Sequence, residues 1–309
     1  MKIYMAPMEG IGGYVYRNAF EKYFGPLDGY VSPFVGKGSL MNRERRDIDP
    51  ENNKGICLIP QIMGGDAEGF LKVAKDVAAL GYSECNINLG CPSGTVTGRG
   101  RGSGMLKDPE RLDAFLDRVC GECSMKLSVK TRVGFDSTDK WESILNVFSK
   151  YPFESVTIHP RTASQQYGGK LHMDCFKEAY EMLKVPLIFN GEILSAEDAE
   201  AVISRYPALY GIMIGRGFIK RPQLACEIAG RKIPGPDAFI SWHRELVKGY
   251  GGYLSGEKSL LFKMKDLWNF YGQSFEKEEK SIKKMKKTGD LSEFTALAEG
   301  LLRAMYVNG

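Results

Sequence analysis

The sequence lacks the features of a membrane, secreted or metal-binding protein. It contains no run of about 18 apolar residues, the length that a membrane-spanning helix needs. Its first residues, MKIYMAPMEG, lack the basic segment and apolar core of a secretory signal. Its seven cysteines are odd in number and scattered, which argues against a disulfide framework. We therefore expect a cytoplasmic protein that does not associate with a membrane.

One CxxC pair, Cys120 and Cys123, stands alone in the sequence. Neither a second pair nor a histidine at metal-ligand spacing accompanies it. We interpret the pair as incidental and predict no metal site.

The net charge is also small, at +4, but it is unevenly distributed. Residues 1–230 hold 28 basic and 28 acidic residues, whereas residues 231–309 hold 14 and 10. The Lys-rich run Lys277–Lys287 lies in this last part. The run is either a phosphate-contacting face or the solvated surface of a helix.

Short β-rich segments do recur along the chain, with helical stretches between most of them. Most are apolar enough to be buried on both faces, as in parallel sheets. Eight such segments predict an α/β fold, a (β/α)8 TIM barrel. A doubly wound sheet is the alternative, but such a sheet would need only six strands. Asp108-Pro109 and Ser195–Asp198 have the pattern of helix starts. The predicted strands are Ile3–Met8, Gly29–Phe34, Cys57–Met63, Glu84–Leu89, Lys126–Val133, Ser155–His159, Val185–Phe189 and Tyr210–Ile214.

Near Pro234-Gly235-Pro236 the pattern changes, and only helical periodicity follows. Asp290 with Glu293 can cap the last helix. We predict a catalytic barrel domain at residues 1–236 and a small helical bundle domain at residues 237–309. Two apolar faces support the bundle: Leu260, Met264, Leu267 and Tyr271, and then Leu291, Phe294, Ala298, Leu301 and Met305.

Polar residues follow the predicted strands at their C-terminal ends, where TIM barrels carry their active sites. Asn190-Gly191 and Gly215-Arg216 form either a phosphate site or two ordinary turns. Lys130 would enter a partly dry site and suit an anion such as a reduced flavin, unless it only extends from the rim into solvent. The strand-end groups are Pro7-Met8, Gln61, Asn88–Pro92, Lys130–Arg132, His159–Arg161, Asn190-Gly191 and Gly215-Arg216.

Cys91 differs from four other cysteines that we interpret as small buried residues, Cys57, Cys85, Cys175 and Cys226. It directly follows the fourth predicted strand and opens a glycine-rich loop. We expect Pro92 and the glycines to keep this loop from forming a helix. The thiol would then lie on a mobile segment above the strand ends.

Seven sequence blocks, in order, resemble those of the tRNA-dihydrouridine synthases. The block NLGCPS, followed by Val96, Gly104 and Leu106, is similar to the catalytic loop of that family. The match runs from residue 3 to about residue 230, and the helical tail agrees in length and placement. The other blocks are APM at 6–8, PQIMG at 60–64, LSVKTRVG at 127–134, IHPRT at 158–162, FNGE at 189–192 and MIGRG at 213–217.

This resemblance implies a flavin enzyme that reduces the C5=C6 bond of uridines in tRNA. Cys91 would give the proton to C5, FMN would give the hydride to C6, and NADPH would reduce the flavin. We expect a monomer. The implied FMN contacts are Pro7, Met8, Gln61, Lys130, His159, Asn190, Gly191, Glu192, Gly215 and Arg216. The implied contacts to the uracil and to the rest of the tRNA are Asn88, Arg132, Tyr167, Arg99 and Arg101, with the lysines of the tail.

Two alternatives remain open from the sequence. One is an FMN barrel that reduces a free pyrimidine-like molecule, such as a relative of dihydroorotate dehydrogenase. The basic tail and the arginine-bearing loop favour a polymer substrate instead. The other is a non-catalytic tRNA-binding barrel. The presence of the complete set Cys91, Lys130 and His159 argues against it.

Overall fold

The computed structural model describes residues 1–36, 38–275 and 278–304. Within these residues, nine strands form one parallel sheet, as expected when helical crossovers link successive strands. The strands are β1 (Lys2–Met5), β2 (Gly29–Val31), β3 (Leu58–Ile59), β4 (Gln61–Met63), β5 (Glu84–Leu89), β6 (Lys126–Arg132), β7 (Val156–His159), β8 (Leu187–Phe189) and β9 (Gly211–Ile214).

The sheet closes into a barrel because its two end strands are halves of one strand. The order runs β3-β2-β1-β9-β8-β7-β6-β5-β4, and only Pro60 separates β3 from β4. Ser32 N–H donates to Ile59 O at 3.1 Å on one side, and Asn86 N–H donates to Pro60 O at 2.8 Å on the other. The nine segments therefore occupy eight barrel positions, and the predicted (β/α)8 fold is confirmed.

All eight predicted strands are present, and Glu84–Leu89 agrees at both ends. The predicted strand Ile3–Met8 already ends at Met5. The predicted strand Cys57–Met63 is interrupted at Pro60, because proline has no backbone N–H for the ladder.

Helices alternate with the strands, and those predicted from capping patterns begin as expected. Asp108 caps the helix that begins at Pro109 by accepting from Arg111 N–H at 3.1 Å. Ser195 Oγ accepts from Asp198 N–H, and Asp198 Oδ2 accepts from Ser195 N–H, which completes a capping box. The helices of this part are α1 (Tyr14–Phe24), α2 (Asn42–Ile48), α3 (Ala67–Ala79), α4 (Gly94–Thr97), α5 (Pro109–Glu122), α6 (Trp141–Phe148), α7 (Met173–Met182), α8 (Ala196–Arg205), α9 (Arg216–Lys220) and α10 (Leu224–Ile228). Short 3₁₀ helices cover Pro50–Asn53, Gly102–Lys107 and Gly272–Ser274.

The C-terminal part is helical, as the periodicity predicts. Asp290 Oδ1 accepts from Glu293 N–H at 2.6 Å at the start of the last helix. Of the residues assigned to the two apolar faces, Leu291 is half-buried, Met305 lies outside the described residues, and all the others are buried. Lys277, the first residue of the Lys-rich run, also lies outside them. The helices are α11 (Pro236–Gly251), α12 (Gly256–Tyr271), α13 (Glu279–Lys287) and α14 (Leu291–Ala304).

The chain divides into two compact units. The first comprises residues 1–9, 28–192 and 201–214, and holds all nine strands. The second comprises residues 10–27, 193–200 and 215–309, and includes α1 with the C-terminal helices. The predicted division into a catalytic domain at residues 1–236 and a helical domain at residues 237–309 stays a prediction.

Candidate active site

Alternation along β5 and β6 brings one set of polar side chains into the barrel interior. In β5 these are Asn86 and Asn88, and their partners in register on β6 are Ser128 and Lys130. Side chains two residues apart on a strand share a face, so each strand presents a column of polar groups. The residues that alternate with Asn86 and Asn88 on β5 are fully buried: Cys85, Ile87 and Leu89.

Three buried amides are joined end to end across this interior. Asn88 Nδ2 donates to Gln61 Oε1 at 2.7 Å, and Gln61 Nε2 donates to Asn86 Oδ1, also at 2.7 Å. Asn86 Nδ2 continues to Ser128 Oγ at 3.0 Å, and Ser128 Oγ donates to Glu84 Oε1 at 2.8 Å. Burial raises the pKa of the Glu84 carboxyl. The bonds satisfy polar groups that would be costly to bury unpaired, so they fix these side chains in one arrangement.

This chain of amides ends at the backbone of Cys91. Asn88 Oδ1 accepts hydrogen bonds from Gly90 N–H at 3.1 Å and from Cys91 N–H at 2.9 Å. Ser103 Oγ donates to Cys91 O at 2.8 Å from the other side. The half-buried thiol of Cys91 therefore extends from a backbone held at both its N–H and its carbonyl.

The loop after Cys91 contains more helix than the sequence predicts. The expectation that Pro92 and the glycines prevent helix formation is wrong for Gly94–Thr97, which form α4. Ser93 O accepts from the N–H groups of Val96 and Thr97, both at 2.9 Å, because Pro92 restricts only the residues beside it. Gly100 and Gly102 then adopt positive φ angles of 64° and 56°, a backbone conformation that glycine accepts without steric cost.

Lys130 lies half-buried at the end of β6, beside other positive charge. Burial and the charge of Arg132 lower the pKa of its ammonium to about 7, and the nearby Cys91 sulfur opposes them only in part. An anion in this mouth would restore the charge of Lys130. A flavin contact at Lys130 stays a prediction.

Arg132 joins two loops. Its guanidinium donates from Nε to Gly90 O at 2.9 Å and from Nη1 to Thr162 O at 2.8 Å. It also lies 5.8 Å from the ring centroid of Tyr167. Arg132 is 3% exposed, so it holds the Cys91 loop against the loop after β7 in addition to any contact with substrate.

The loop after β7 places an aromatic ring beside His159. The ring centroids of His159 and Tyr167 are 6.4 Å apart; His159 is buried, whereas Tyr167 is 48% exposed. Gln166, just before Tyr167, has a φ of 51°, an unfavourable backbone conformation for a residue with a side chain. Gln165 Oε1 accepts from Thr162 N–H at 2.8 Å and lies 3.0 Å from His172 Nε2, and these contacts stabilise the turn.

The end of β8 is tightly packed around Asn190 and Gly191. Asn190 Nδ2 donates to Met213 O at 2.7 Å and so joins β8 to β9. A side chain at Gly191 would meet the Phe189 ring at 2.3 Å, so only glycine fits there. Arg161 Nη2 donates to Glu192 Oε2 at 2.9 Å, which neutralises the charge of that carboxylate.

The other predicted site residues are more dispersed. Pro7 and Met8 follow β1 and are half-buried. Arg99 is exposed, whereas Arg101 forms a 3.6 Å ion pair with Asp66. In the second unit, Gly215 precedes α9 and Arg216 is its first residue.

Three residues of this site were not predicted from the sequence: Asn86, Ser128 and Ser103. The alternation of Asn86 with Asn88 along one strand is a signal that could have found the first. Ser128 and Ser103 have no such signal, because they act on residues 42 and 12 positions away.

Across the described residues, no helix is long and apolar enough to cross a membrane, and no cluster of three potential metal-binding side chains occurs.

Fold and site together define a TIM barrel whose strand ends carry cations, amides and a thiol-bearing loop. The chain belongs to the dihydrouridine synthase family, whose model matches residues 4–299. It is 29% identical over 243 residues to the tRNA-dihydrouridine(16) synthase of Ralstonia nicotianae, covering 74% of this chain and 73% of that one. It is also 29% identical over 226 residues to tRNA-dihydrouridine synthase B of Pasteurella multocida, covering 72% and 67%.

A solved structure shares the fold. A variant of NCR from Zymomonas mobilis matches with a TM-score of 0.53 at 16% identity, over 82% of this chain and 94% of that one. At this identity the likeness supports the barrel architecture alone.

Proposed function

We propose that this protein reduces the C5=C6 bond of selected uridines in tRNA to give dihydrouridine. The observation that supports it most is the placement of Cys91, whose backbone Asn88 holds beside the cations Lys130 and Arg132. The names of the two relatives specify the same reaction. One relative has the number 16 in its name and the other is designated B, and both are 29% identical to this chain. Sequence identity therefore does not indicate which uridine is modified.

Uracil chemistry explains why these residue types are needed. Its C5=C6 bond is conjugated with the C4 carbonyl, so hydride adds at C6 and negative charge builds on C5 and O4. An acid near C5 and hydrogen-bond donors near the carbonyls therefore stabilise the transition state. An ordinary thiol has a pKa of about 8.5 and is mostly protonated at pH 7. Cys91 can donate its proton to C5 without a partner base.

Asn88 and Arg132 would serve the uracil in two ways. The Asn88 amide has a second N–H besides the one bonded to Gln61, and this N–H suits a uracil carbonyl. Arg132 holds Gly90 O and Thr162 O, so it keeps Cys91 and the loop with Tyr167 at a constant separation. Tyr167, being half exposed, offers a ring on which a base can stack.

The residues at the mouth fit a flavin. Lys130 loses charge through burial and the neighbouring Arg132, so the anionic ring of a reduced flavin would compensate for both. We propose that Lys130, His159 and Gln61 hold the ring of FMN, with Pro7 and Met8 beside it. The predicted contacts to the other parts of FMN stay Asn190, Gly191 and Glu192, with Gly215 and Arg216. Reduced FMN, when bound, supplies the hydride, and NADPH is the proposed source of its electrons.

The substrate must be presented as an unstacked base. A target uridine in folded tRNA is stacked or paired, so it has to leave its stack to reach a barrel mouth. We propose that Arg99 and Arg101 contact the backbone near this base, and that the helical part at residues 237–309 binds the rest of the tRNA. The ion pair of Arg101 with Asp66 would orient its side chain within the loop.

The direct test supplies purified protein with FMN, NADPH and unmodified tRNA, and measures dihydrouridine by mass spectrometry of nucleosides. Free uridine, uracil and orotate serve as parallel substrates. We expect yellow protein with one FMN per chain, and product from tRNA alone. Faster flavin reoxidation by a free pyrimidine would assign the barrel to small-molecule reduction instead. Protein that binds tRNA but stays colourless after addition of FMN would indicate a non-catalytic binding barrel.

A further inference from the structure

The polar side chains inside the barrel form one line of hydrogen bonds between the two ends of β5. Glu84 is the first residue of β5, and Cys91 lies two residues beyond its last. The five residue rises of the strand separate its ends by about 17 Å. A carboxylate at the start of the strand is thus linked through side chains to the loop after its end. In order from Glu84, the linking side chains are Ser128, Asn86, Gln61 and Asn88.

The direction of this line is set at the loop end by backbone groups. The N–H groups of Gly90 and Cys91 can only donate, so Asn88 must turn its oxygen toward them. The nitrogen of the Asn88 amide is then left to donate to Gln61 Oε1. Gln61 accepts through its oxygen and so donates through its nitrogen to Asn86 Oδ1. Each amide therefore has one orientation that satisfies both of its neighbours.

The other end of the line needs a group that accepts. Asn86 Nδ2 donates to Ser128 Oγ at 3.0 Å, so the hydroxyl of Ser128 has to direct its own proton to another acceptor. That acceptor is Glu84 Oε1, at 2.8 Å. An ionised carboxylate has only acceptor oxygens, whereas an amide or a hydroxyl in its place could turn round and donate. Glu84 therefore ends the line with a group that cannot reverse it.

We propose that Glu84 is a positioning residue for the Cys91 loop. Its carboxylate accepts the hydrogen bond of the Ser128 hydroxyl and so keeps the three amides in one orientation. In that orientation Asn88 Oδ1 faces the Cys91 N–H. Because hydrogen bonds in a line polarise one another, loss of the last acceptor weakens the bonds at the loop end. The consequence for turnover rests on the proposed function, since it requires the Cys91 thiol to be the proton donor.

Amide hydrogen exchange, measured by NMR on the full chain, tests the positioning without any substrate. Glu84→Met has a similar length but offers no oxygen to Ser128. We expect exchange at the N–H groups of Gly90 and Cys91 to rise about three- to tenfold, the effect of weakening one hydrogen bond. The N–H of Val156, which bonds to Pro186 O at 2.9 Å, is the internal reference and should keep its rate.

Two further variants check that the effect travels along this line. Glu154→Met is the matched control, because Glu154 lines the same cavity as Glu84 but pairs with Lys126, at 3.4 Å. It should leave exchange in the Cys91 loop unchanged. Ser128→Ala breaks the line one bond further in and should raise exchange at the same two N–H groups. Adding Glu84→Met to Ser128→Ala should then cause no further rise.

Turnover provides a second measurement, which depends on the proposed function. With tRNA as the substrate, the kcat of Glu84→Met should fall about three- to tenfold, in step with exchange at the loop. KM and the rate of flavin reduction by NADPH should not change, because neither uses the Cys91 thiol. If exchange responds as expected but tRNA is not reduced, the positioning by Glu84 is supported and the proposed function fails.

Three results would overturn the proposal. The first is unchanged exchange at Gly90 and Cys91 in folded Glu84→Met. The second is an equal rise at Val156, which would indicate a general loss of stability. The third is an additive effect of Glu84→Met and Ser128→Ala. If Glu84→Met does not fold, Ser128→Ala decides alone: a rise confined to the Cys91 loop supports the proposal, and unchanged exchange there overturns it.

Discussion

Asn88 Nδ2 donates a 2.7 Å hydrogen bond to Gln61 Oε1, so a buried amide on β5 is held by a buried amide on β4. On its other side, Asn88 accepts from the N–H groups of Gly90 and Cys91. One side chain thus connects the rigid barrel interior to the loop that carries the thiol. The position of Cys91 depends on the barrel as much as on its own loop.

Replacing Asn88 by alanine should therefore affect both stability and turnover. Gln61 Oε1 would lose its donor, and two backbone N–H groups would lose their acceptor. We expect the free energy of unfolding to fall by about 1–3 kcal/mol, the usual cost of unsatisfied buried polar groups. Dihydrouridine formation should fall at least tenfold. Urea unfolding and turnover measure the two effects. The matched control is Asn146→Ala on α6, an exposed asparagine whose loss should change neither.

Cys91→Ala should leave FMN binding and flavin reduction by NADPH intact. Turnover on tRNA should fall by roughly 10²–10⁴-fold, the usual contribution of a positioned general acid. Single-turnover kinetics of the two half-reactions measures this. Cys57→Ala is the control, because Cys57 is exposed in the structure and the prediction that it is buried is wrong. Near-normal tRNA turnover in Cys91→Ala would rule out the thiol as the proton donor.

Arg132 and Lys130 should affect different half-reactions. Arg132→Lys keeps the charge, but one ammonium cannot replace the planar donors that reach Gly90 O and Thr162 O. We expect it to slow flavin reoxidation by tRNA and to spare reduction by NADPH. Lys130→Ala should instead weaken FMN binding or slow flavin reduction. Stopped-flow absorbance distinguishes them, and a defect of Arg132→Lys confined to the NADPH step would contradict this division.

The lysines of α13 should differ in their contribution to tRNA binding. Lys283 and Lys284 already pair with Glu279 and Glu293, at 2.6 and 3.4 Å. Lys286 and Lys287 are exposed on the same helix. Neutralising Lys286 and Lys287 to glutamine should lower the salt-dependence slope of binding by about 2, if each contacts one phosphate.

The double variant Lys283→Gln/Lys284→Gln is the matched comparison. It removes the same charge, but from lysines that have carboxylate partners, so its slope should change less. Binding isotherms at several salt concentrations provide both slopes. Equal slopes in wild type and in all variants would mean that these lysines form only a solvated helix face.

His243 should make the stability of the helical part depend on pH. It is fully buried between the rings of Trp268 and Phe294, and within the described residues neither ring nitrogen has a hydrogen-bond partner. Burial lowers its pKa from 6.5 to about 4. Between these values the unfolded chain binds a proton that the folded chain does not. The free energy of unfolding should thus fall as pH falls from 6.5 to 4, by about 3 kcal/mol in total.

The His243→Phe variant keeps the aromatic packing and removes the titration. Denaturant unfolding of wild type and variant between pH 7 and pH 4 gives the difference due to His243. Parallel curves for the two proteins would show that His243 does not cause the loss.

Local pattern predicted much of this structure. Strand positions follow from short apolar segments, and the caps at Asp108 and Ser195 follow from residue type and spacing. The cluster at the strand ends follows from topology, because parallel strands of a closed barrel end on one side. These features depend on residues close together in the sequence or on a general rule of the fold.

What could not be predicted depends on contacts between distant residues. The bonds of Arg132 to Gly90 O and Thr162 O span 42 and 30 positions, and no local spacing in the sequence predicts a bond over such a distance. One local feature was also not predicted: helix α4, because the glycines around it are typical of a loop. In the structure, Ser93 O accepts two hydrogen bonds that begin a helix there.

The joined amides of Asn88, Gln61 and Asn86 also have a consequence for folding. If β5 slipped by one residue against β4, Ile87 and Leu89 would turn inward, and the amides would face the apolar side now occupied by these two residues. Every amide would then lose its partner while still buried. A barrel filled only with aliphatic side chains would resist such a slip far less. The polar interior therefore selects one strand register among several that hydrophobicity alone would tolerate, and residues of the candidate active site take part in that selection.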